Sequence, residues 1–178
     1  MSHARQLIRK AVQAALIAEN TAAGTRVFST RMVPWETTDL PAVAIYTLNE
    51  PIDAESRNNS PRKLWRNLEL KIEAQVIADA NVEDVIDDLA VQLERAMNRD
   101  YTFGQTASDS ILTNTEVNVE VIGERPVGVL ELTYDVVYYT HSPEAEDAIP
   151  VSLNTIDVKT KVGGQINPTE DLYQNLET

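Results

Sequence analysis

The chain of 178 residues carries 15 Lys and Arg against 28 Asp and Glu, a formal net charge of −13, with 43% hydrophobic residues and no cysteine. That length fits one domain, or one domain plus a tail, and its core is large enough to fold without disulfide or metal staples. The lack of cysteine excludes thiolate metal sites, iron–sulfur clusters and thiol nucleophiles, and the acidic balance disfavours displacement of counterions from a phosphate backbone.

The first segment, MSHARQLIRKAVQAALIAEN, is patterned as an amphipathic helix over Ala4–Asn20. Leu7, Ile8, Ala11, Val12, Ala15 and Leu16 recur at the spacing of one helical face, and Ser2 is its expected N-cap. Asn20, Thr21 and Gly24 signal the stop. The segment lacks the apolar core and cleavage site of a secretory signal, and no apolar run approaches the roughly 18–20 residues that span a bilayer. A soluble protein made inside the cell is expected. Thr25–Arg31 reads as a short strand, broken by Val33-Pro34-Trp35, since proline cannot donate to a ladder. Ala42–Leu48, apolar on both faces for several residues, predicts a strand inside a sheet. Glu50–Arg62, with two prolines and Asn58-Asn59-Ser60, reads as a long flexible loop at the tip of an extended hairpin.

The hairpin returns through Leu68, Leu70, Ile72, Ala74 and Val76, which alternate with Glu69, Lys71, Glu73 and Gln75 as a strand with one buried face. Asn81–Arg99 predicts a second helix, capped by Asn81, with Val82, Val85, Ile86, Leu89, Leu93, Ala96 and Met97 on its apolar side. After a loop over Tyr101–Ser110, Ile111–Ile122 alternates Val117, Val119 and Val121 with Glu116, Asn118 and Glu120. Gly123–Pro126 makes a turn, and Val127–His141 completes a β-hairpin. The expected order is α-β-β-β-α-β-β: an α+β fold, a mostly antiparallel sheet covered by two amphipathic helices over residues 1–141. Residues 142–178 hold three prolines and scattered apolar residues, and read as a C-terminal arm that gains order by docking on a neighbour.

The chemical inventory is thin. His3 and His141 share no motif spacing, and no nucleophile elbow, dinucleotide fingerprint or phosphate loop occurs. No cofactor or metal is implied, and the chain does not read as an enzyme. Asp84 and Asp88, like Glu83 and Asp87, are four apart on the second helix. Carboxylates so spaced can hold a cation, but the apolar side of the helix turns these toward water. Arg57, Arg62, Lys63 and Arg66 cluster around Trp65. Beside so acidic a remainder they are expected to meet protein rather than nucleic acid. Charge is divided along the chain: ten basic against seven acidic residues over 1–72, five against twenty-one over 73–178. That asymmetry suggests head-to-tail packing, basic surface on acidic surface.

Several stretches in order carry a resemblance: RQLIRKAVQAAL; TRVFSTRMVPW with Arg26 and Arg31; LPAVAIYT, Leu40 to Thr47; PRKLWRNLELKIEAQV; VEDVIDDLAVQLERAM; and GERPVGVLELTYDVVYYT, Gly123 to Thr140. Over residues 4–141 the chain resembles the tail terminator (tail completion, minor tail protein U-like) proteins of long-tailed bacteriophages. The resemblance implies a structural virion protein: a homohexameric ring on the head-proximal end of the tail. Such a ring ends polymerisation of the major tail tube protein and offers a surface to the head–tail connector or neck protein. DNA then enters only as cargo passing through the lumen, and no membrane is involved. A head–tail joining or other neck adaptor ring is the alternative. For assembly, the expected contacts are Arg57, Arg62, Lys63 and Trp65 on the loop side, Asp84, Asp87 and Asp88 on the complementary face, and the arm after Ser142.

Overall fold

The alternation over residues 63–77 sets the architecture. In the computed structural model, which describes residues 3–54, 62–78, 81–122 and 125–141, Lys63–Ile77 is one strand of 15 residues. The elements in chain order are α1 (Ala4–Ala18), β1 (Val27–Phe28), a 3-10 turn (Thr37–Asp39), β2 (Ala42–Thr47), β3 (Ile52–Ala54), β4 (Lys63–Ile77), α2 (Val82–Arg99), β5 (Asp109–Ile122) and β6 (Arg125–His141). Six described strands form one sheet in the order β1-β2-β4-β6-β5, with β3 also paired to β4. Every pairing is antiparallel except β1 with β2. This is the α+β fold expected, with one strand more than the sequence signalled.

β4 and β6 form the spine, paired without interruption from Lys63 opposite His141 to Ile77 opposite Val127. Their even-numbered residues make the helix-covered face. Leu68, Leu70, Ile72, Ala74, Val76, Leu130, Leu132, Tyr134 and Val136 are buried there beneath α1 and α2. α1 meets this face along Ile8, Val12 and Leu16, one row at a spacing of four. α2 contributes Val82, Ile86, Leu89, Ala90, Leu93, Ala96 and Met97. The helix ends are tied together: Ala22 N donates to Gln92 Oε1 at 2.8 Å, and Arg99 pairs with Glu19 at 2.9 Å. On the opposite face a smaller apolar group, Leu40, Ala42, Val127 and Val129 with Phe28, Trp35 and Ile77, covers one end of the spine.

Several local expectations are corrected. His3, not Ser2, caps α1, its Nδ1 accepting from Arg5 N at 3.2 Å; Ser2 lies outside the described residues. α1 ends at Ala18 because Asn20 turns left-handed at φ 57°. Leu7 and Val85 are 45% and 40% exposed, so both apolar stripes are narrower than the periodicity implied. Asn81 precedes α2 in the left-handed region and makes no side-chain cap. The segment read as a loop over 50–62 holds β3, which pairs with Leu64–Arg66. Residues 55–61, the expected tip, lie outside the described residues, as do all of 142–178.

Candidate assembly surface

Pairing of β4 with β6 decides what the uncovered face of the sheet presents. Odd-numbered residues of both strands point away from the helices, and at one end they gather Lys63, Trp65, Tyr139 and His141. Trp65 and Tyr139 meet edge to face at 5.7 Å, and Tyr139 meets His141 in the same manner at 6.1 Å. Lys63 Nζ sits 4.7 Å from the Trp65 ring centre and 4.9 Å from that of Tyr139. A cation held over two ring faces is attracted by their quadrupoles, which fixes an otherwise mobile lysine. The result is an aromatic patch that carries Lys63, half-buried at Lys63 and Trp65 and exposed at Tyr139 and His141, with the exposed Asp53 of β3 paired opposite Trp65.

Behind this patch, on the helix side, a polar cluster pins the same end of the spine. The Glu50 carboxylate, 8% exposed, accepts from Arg66 Nη1 at 3.0 Å and from the Tyr138 hydroxyl, and lies 3.7 Å from Arg5 Nε. Arg66 Nε also donates to Thr140 Oγ1 at 2.8 Å. Burial, and then the bonded Glu50 carboxylate, raise the Tyr138 hydroxyl above the ordinary phenol range. The Arg66 charge is therefore committed inward, while Lys63 lies on the aromatic patch.

Midway along the spine the open face becomes acidic. Glu69, Glu73, Glu131 and Asp135 project there from β4 and β6, joined by Glu116 opposite Glu131. Lys71 answers them with an ion pair to Glu131. Its pKa is raised, first by that hydrogen bond and then, against desolvation, by the charges of Glu131, Glu73 and Glu116. Here the two charge halves of the sequence meet: β4 crosses from the basic half into the acidic one, and Lys71 lies among acids of the other half.

Asp84, Asp87 and Asp88 sit at the other end. All three are exposed on the first turns of α2. Those turns lie over the far end of the spine: the Cβ position of Gly128, which pairs with Val76, is 3.2 Å from Val82 and 3.3 Å from Ile86. Thirteen residues of β4 separate Lys63 from Val76, about 40 Å at the rise of a strand. The structure therefore joins Lys63 and Trp65 into one patch and sets the three aspartates at the opposite end. Arg62 is exposed at the start of β4. Arg57 lies outside the described residues. Tyr139 and His141, which complete the patch, had no sequence signal of their own, because only the β4–β6 register places them beside Trp65. Among the described residues no group of three or more His, Asp or Glu is placed to hold a metal. No described helix is long and apolar enough to cross a membrane.

The sheet ends at β5. Thr113–Val121 is exposed throughout, including Val117, Val119 and Val121 at 42%, 45% and 72%. These valines pair with Leu130, Gly128 and Pro126, so they extend the helix-side face beyond its cover.

The described residues define a two-helix, single-sheet α+β fold with chemically distinct ends. No protein-family model matches the chain, and no curated protein matches it. Among solved structures it is similar to a chain described as "Virion of native gene transfer agent (GTA) particle", at 12% identity and a TM-score of 0.36, over 75% of this chain and 95% of that one. A likeness at that level carries no argument about function, which rests on the chain's own residues.

Proposed function

We propose that this chain is a structural virion protein that assembles into a ring and caps the head-proximal end of a bacteriophage tail tube. The observation that carries the reading is the polarity of the spine. Lys63 and Trp65 mark one end and Asp84, Asp87 and Asp88 the other, about 40 Å apart. Copies related by a closing rotation can each present the end that carries Lys63 and Trp65 and receive it on the end that carries the three aspartates, which satisfies every heterologous contact. Two further observations support it. The segments that carry the resemblance to tail terminators, PRKLWRNLELKIEAQV and GERPVGVLELTYDVVYYT, contain the two strands of the spine. The acidic stretch of the open face, Glu69 to Asp135, suits a lumen through which DNA passes without adhering.

Negative-stain microscopy of the purified chain tests this directly: closed rings are expected, and monomers at tens of micromolar would overturn it. Arg62→Glu with Lys63→Glu should abolish the rings in light scattering, and Asp84→Lys with Asp88→Lys should do the same. Mixing the two variants should restore assembly; rings that ignore both pairs of reversals refute the polar contact. Addition of the ring to polymerising tail tube protein should shorten the tubes, and unchanged tube length would refute capping.

A further inference from the structure

β5 is an edge of 14 residues whose outer backbone groups pair with no described strand. Long edges are normally blunted by Lys, Pro or brevity, because they template the addition of another strand. β5, DSILTNTEVNVEVI, contains neither Lys nor Pro, and its only irregularity is a bulge between Leu112 and Asn114. Beyond the bulge its two faces differ sharply. Val117, Val119 and Val121 lie on the helix side, and Asn114, Glu116, Asn118 and Glu120 on the open side. A strand that fits this edge must carry apolar residues at alternate positions and cations between them.

The chain contains one such segment outside the described residues. Ile156-Asp157-Val158-Lys159-Thr160-Lys161-Val162 alternates apolar or β-branched residues with charged ones. Lys159 and Lys161 are the only Lys or Arg after Arg125, in a stretch otherwise rich in acids. Both therefore fall in the one strand-like segment where they match Glu116 and Glu120. Fourteen residues, 142–155, link the segment to β6, enough extended chain at ~3.3 Å each to reach a neighbouring subunit.

We infer that residues 156–162 of one copy add to the outer edge of β5 of a neighbouring copy. Main-chain hydrogen bonds supply the affinity, and the alternating side chains supply the register. Val158 and Val162 extend the apolar face beside Val117, Val119 and Val121. Lys159 and Lys161 fall on the face of Glu116 and Glu120, directly opposite or one diagonal away. The inference rests on the ring proposed above and assigns the C-terminal arm its partner surface: an acidic-faced β edge on a second copy of this chain.

The absence of native cysteine makes the test clean. Full-length chains carrying Val119→Cys are mixed with chains of different mass carrying Thr160→Cys, and a short bismaleimide is added. Covalent heterodimers with one chain of each mass are expected. Lys159→Glu with Lys161→Glu should lower their yield about tenfold, two reversed cross-strand pairs acting together. Glu116→Lys with Glu120→Lys in the acceptor should restore it. Cross-linking found only inside single chains that carry both cysteines would overturn the exchange, as would loss of yield that the charge swap does not recover. Rings that form without any cross-link would sink the arm and spare the ring. Heterodimers without rings in the microscope would sink the ring and spare the arm.

Discussion

Gly128 is the tightest point between helix and sheet. It lies on β6 between Val76 of β4 and Val119 of β5, beneath the first turns of α2. A Cβ there would stand 3.1 Å from Val76 Cγ2, 3.2 Å from Val82 Cγ2 and 3.3 Å from Ile86 Cβ. Carbon atoms prefer 3.5–4.0 Å. The valine methyls are stiff at χ1, and Ile86 Cβ is fixed to the helix backbone, so α2 must lift by a few tenths of an ångström. Gly128→Ala gains about 0.4–1 kcal/mol from a less flexible unfolded chain but overpacks at a cost of about 1–3 kcal/mol. A net loss of about 1 kcal/mol is expected. Gly128→Val adds two methyls to the same space and should cost about 3 kcal/mol, a fall in Tm of roughly 6–12 °C at this size. Urea unfolding followed by circular dichroism reads both as lowered midpoints at constant slope. Because Val82 supplies one of the three contacts, Val82→Ala should cost about 1 kcal/mol less in the Gly128→Ala chain than alone. An unchanged midpoint in Gly128→Val, or strict additivity with Val82→Ala, would mean that α2 is not seated on Gly128.

Three further outcomes follow from buried polar groups. Glu50→Ala should cost about 2–3 kcal/mol in chemical denaturation, since it strips Arg66 and the Tyr138 hydroxyl of a partner that is itself 8% exposed; removing Arg66 as well should cost less than the two single changes added together. Tyr134→Phe should stabilise by about 1 kcal/mol, because the buried hydroxyl finds no hydrogen-bond partner among the described residues; a lower midpoint would reveal one. Burial is the first cause that raises Tyr46, Tyr134 and Tyr138 above the ordinary phenol value of 10.0. The folded chain then keeps these protons after the unfolded chain has begun to lose them. Their stabilisation is complete below pH 10 and declines as pH rises above it. A phenolate absorbance titration of the folded chain, with single Tyr→Phe changes to assign the signals, should show Tyr46, Tyr134 and Tyr138 ionising above pH 10, and stability that stays flat above pH 10 would refute it.

The strands and helices with strong periodicity were legible from the sequence. Leu68 to Val76 alternated and is buried on alternate residues; Ile86, Leu89 and Leu93 repeated and face the sheet. β3 was not legible, because the three residues after Pro51 form a strand only through the partner that β4 offers. His3 as a cap was hidden by the more usual Ser2. The turn after α2 was equally hidden. Asp100 holds it by accepting from Thr102 N, Thr102 Oγ1 and Gly104 N, bonds that lower its pKa, while Phe103 turns inward at positive φ. At the surface, the sequence grouped Arg57, Arg62, Lys63 and Arg66 as one basic cluster. Tertiary pairing divides it, because a strand sends Lys63 and Arg66 to opposite faces. Arg66 turns to Glu50 on the helix side, and Lys63 turns to the aromatic rings.

β5 shows why alternation alone under-determines burial. Val117, Val119 and Val121 carry the same period-two signal as Leu68, Leu70 and Ile72, yet the first three are 42–72% exposed and the second three are fully buried. The difference is position in the sheet. β4 lies between β2 and β6 beneath both helices, whereas β5 is outermost. A period of two therefore states that one face of a strand is built to be covered, without stating by what. For β4 the cover is α1 and α2. For β5 the described residues leave that face open, and its outer edge asks for something different: a strand that continues the alternation, apolar at every second position and cationic between. Lys159 and Lys161, placed two apart in an otherwise acidic tail, meet that requirement from within the same sequence.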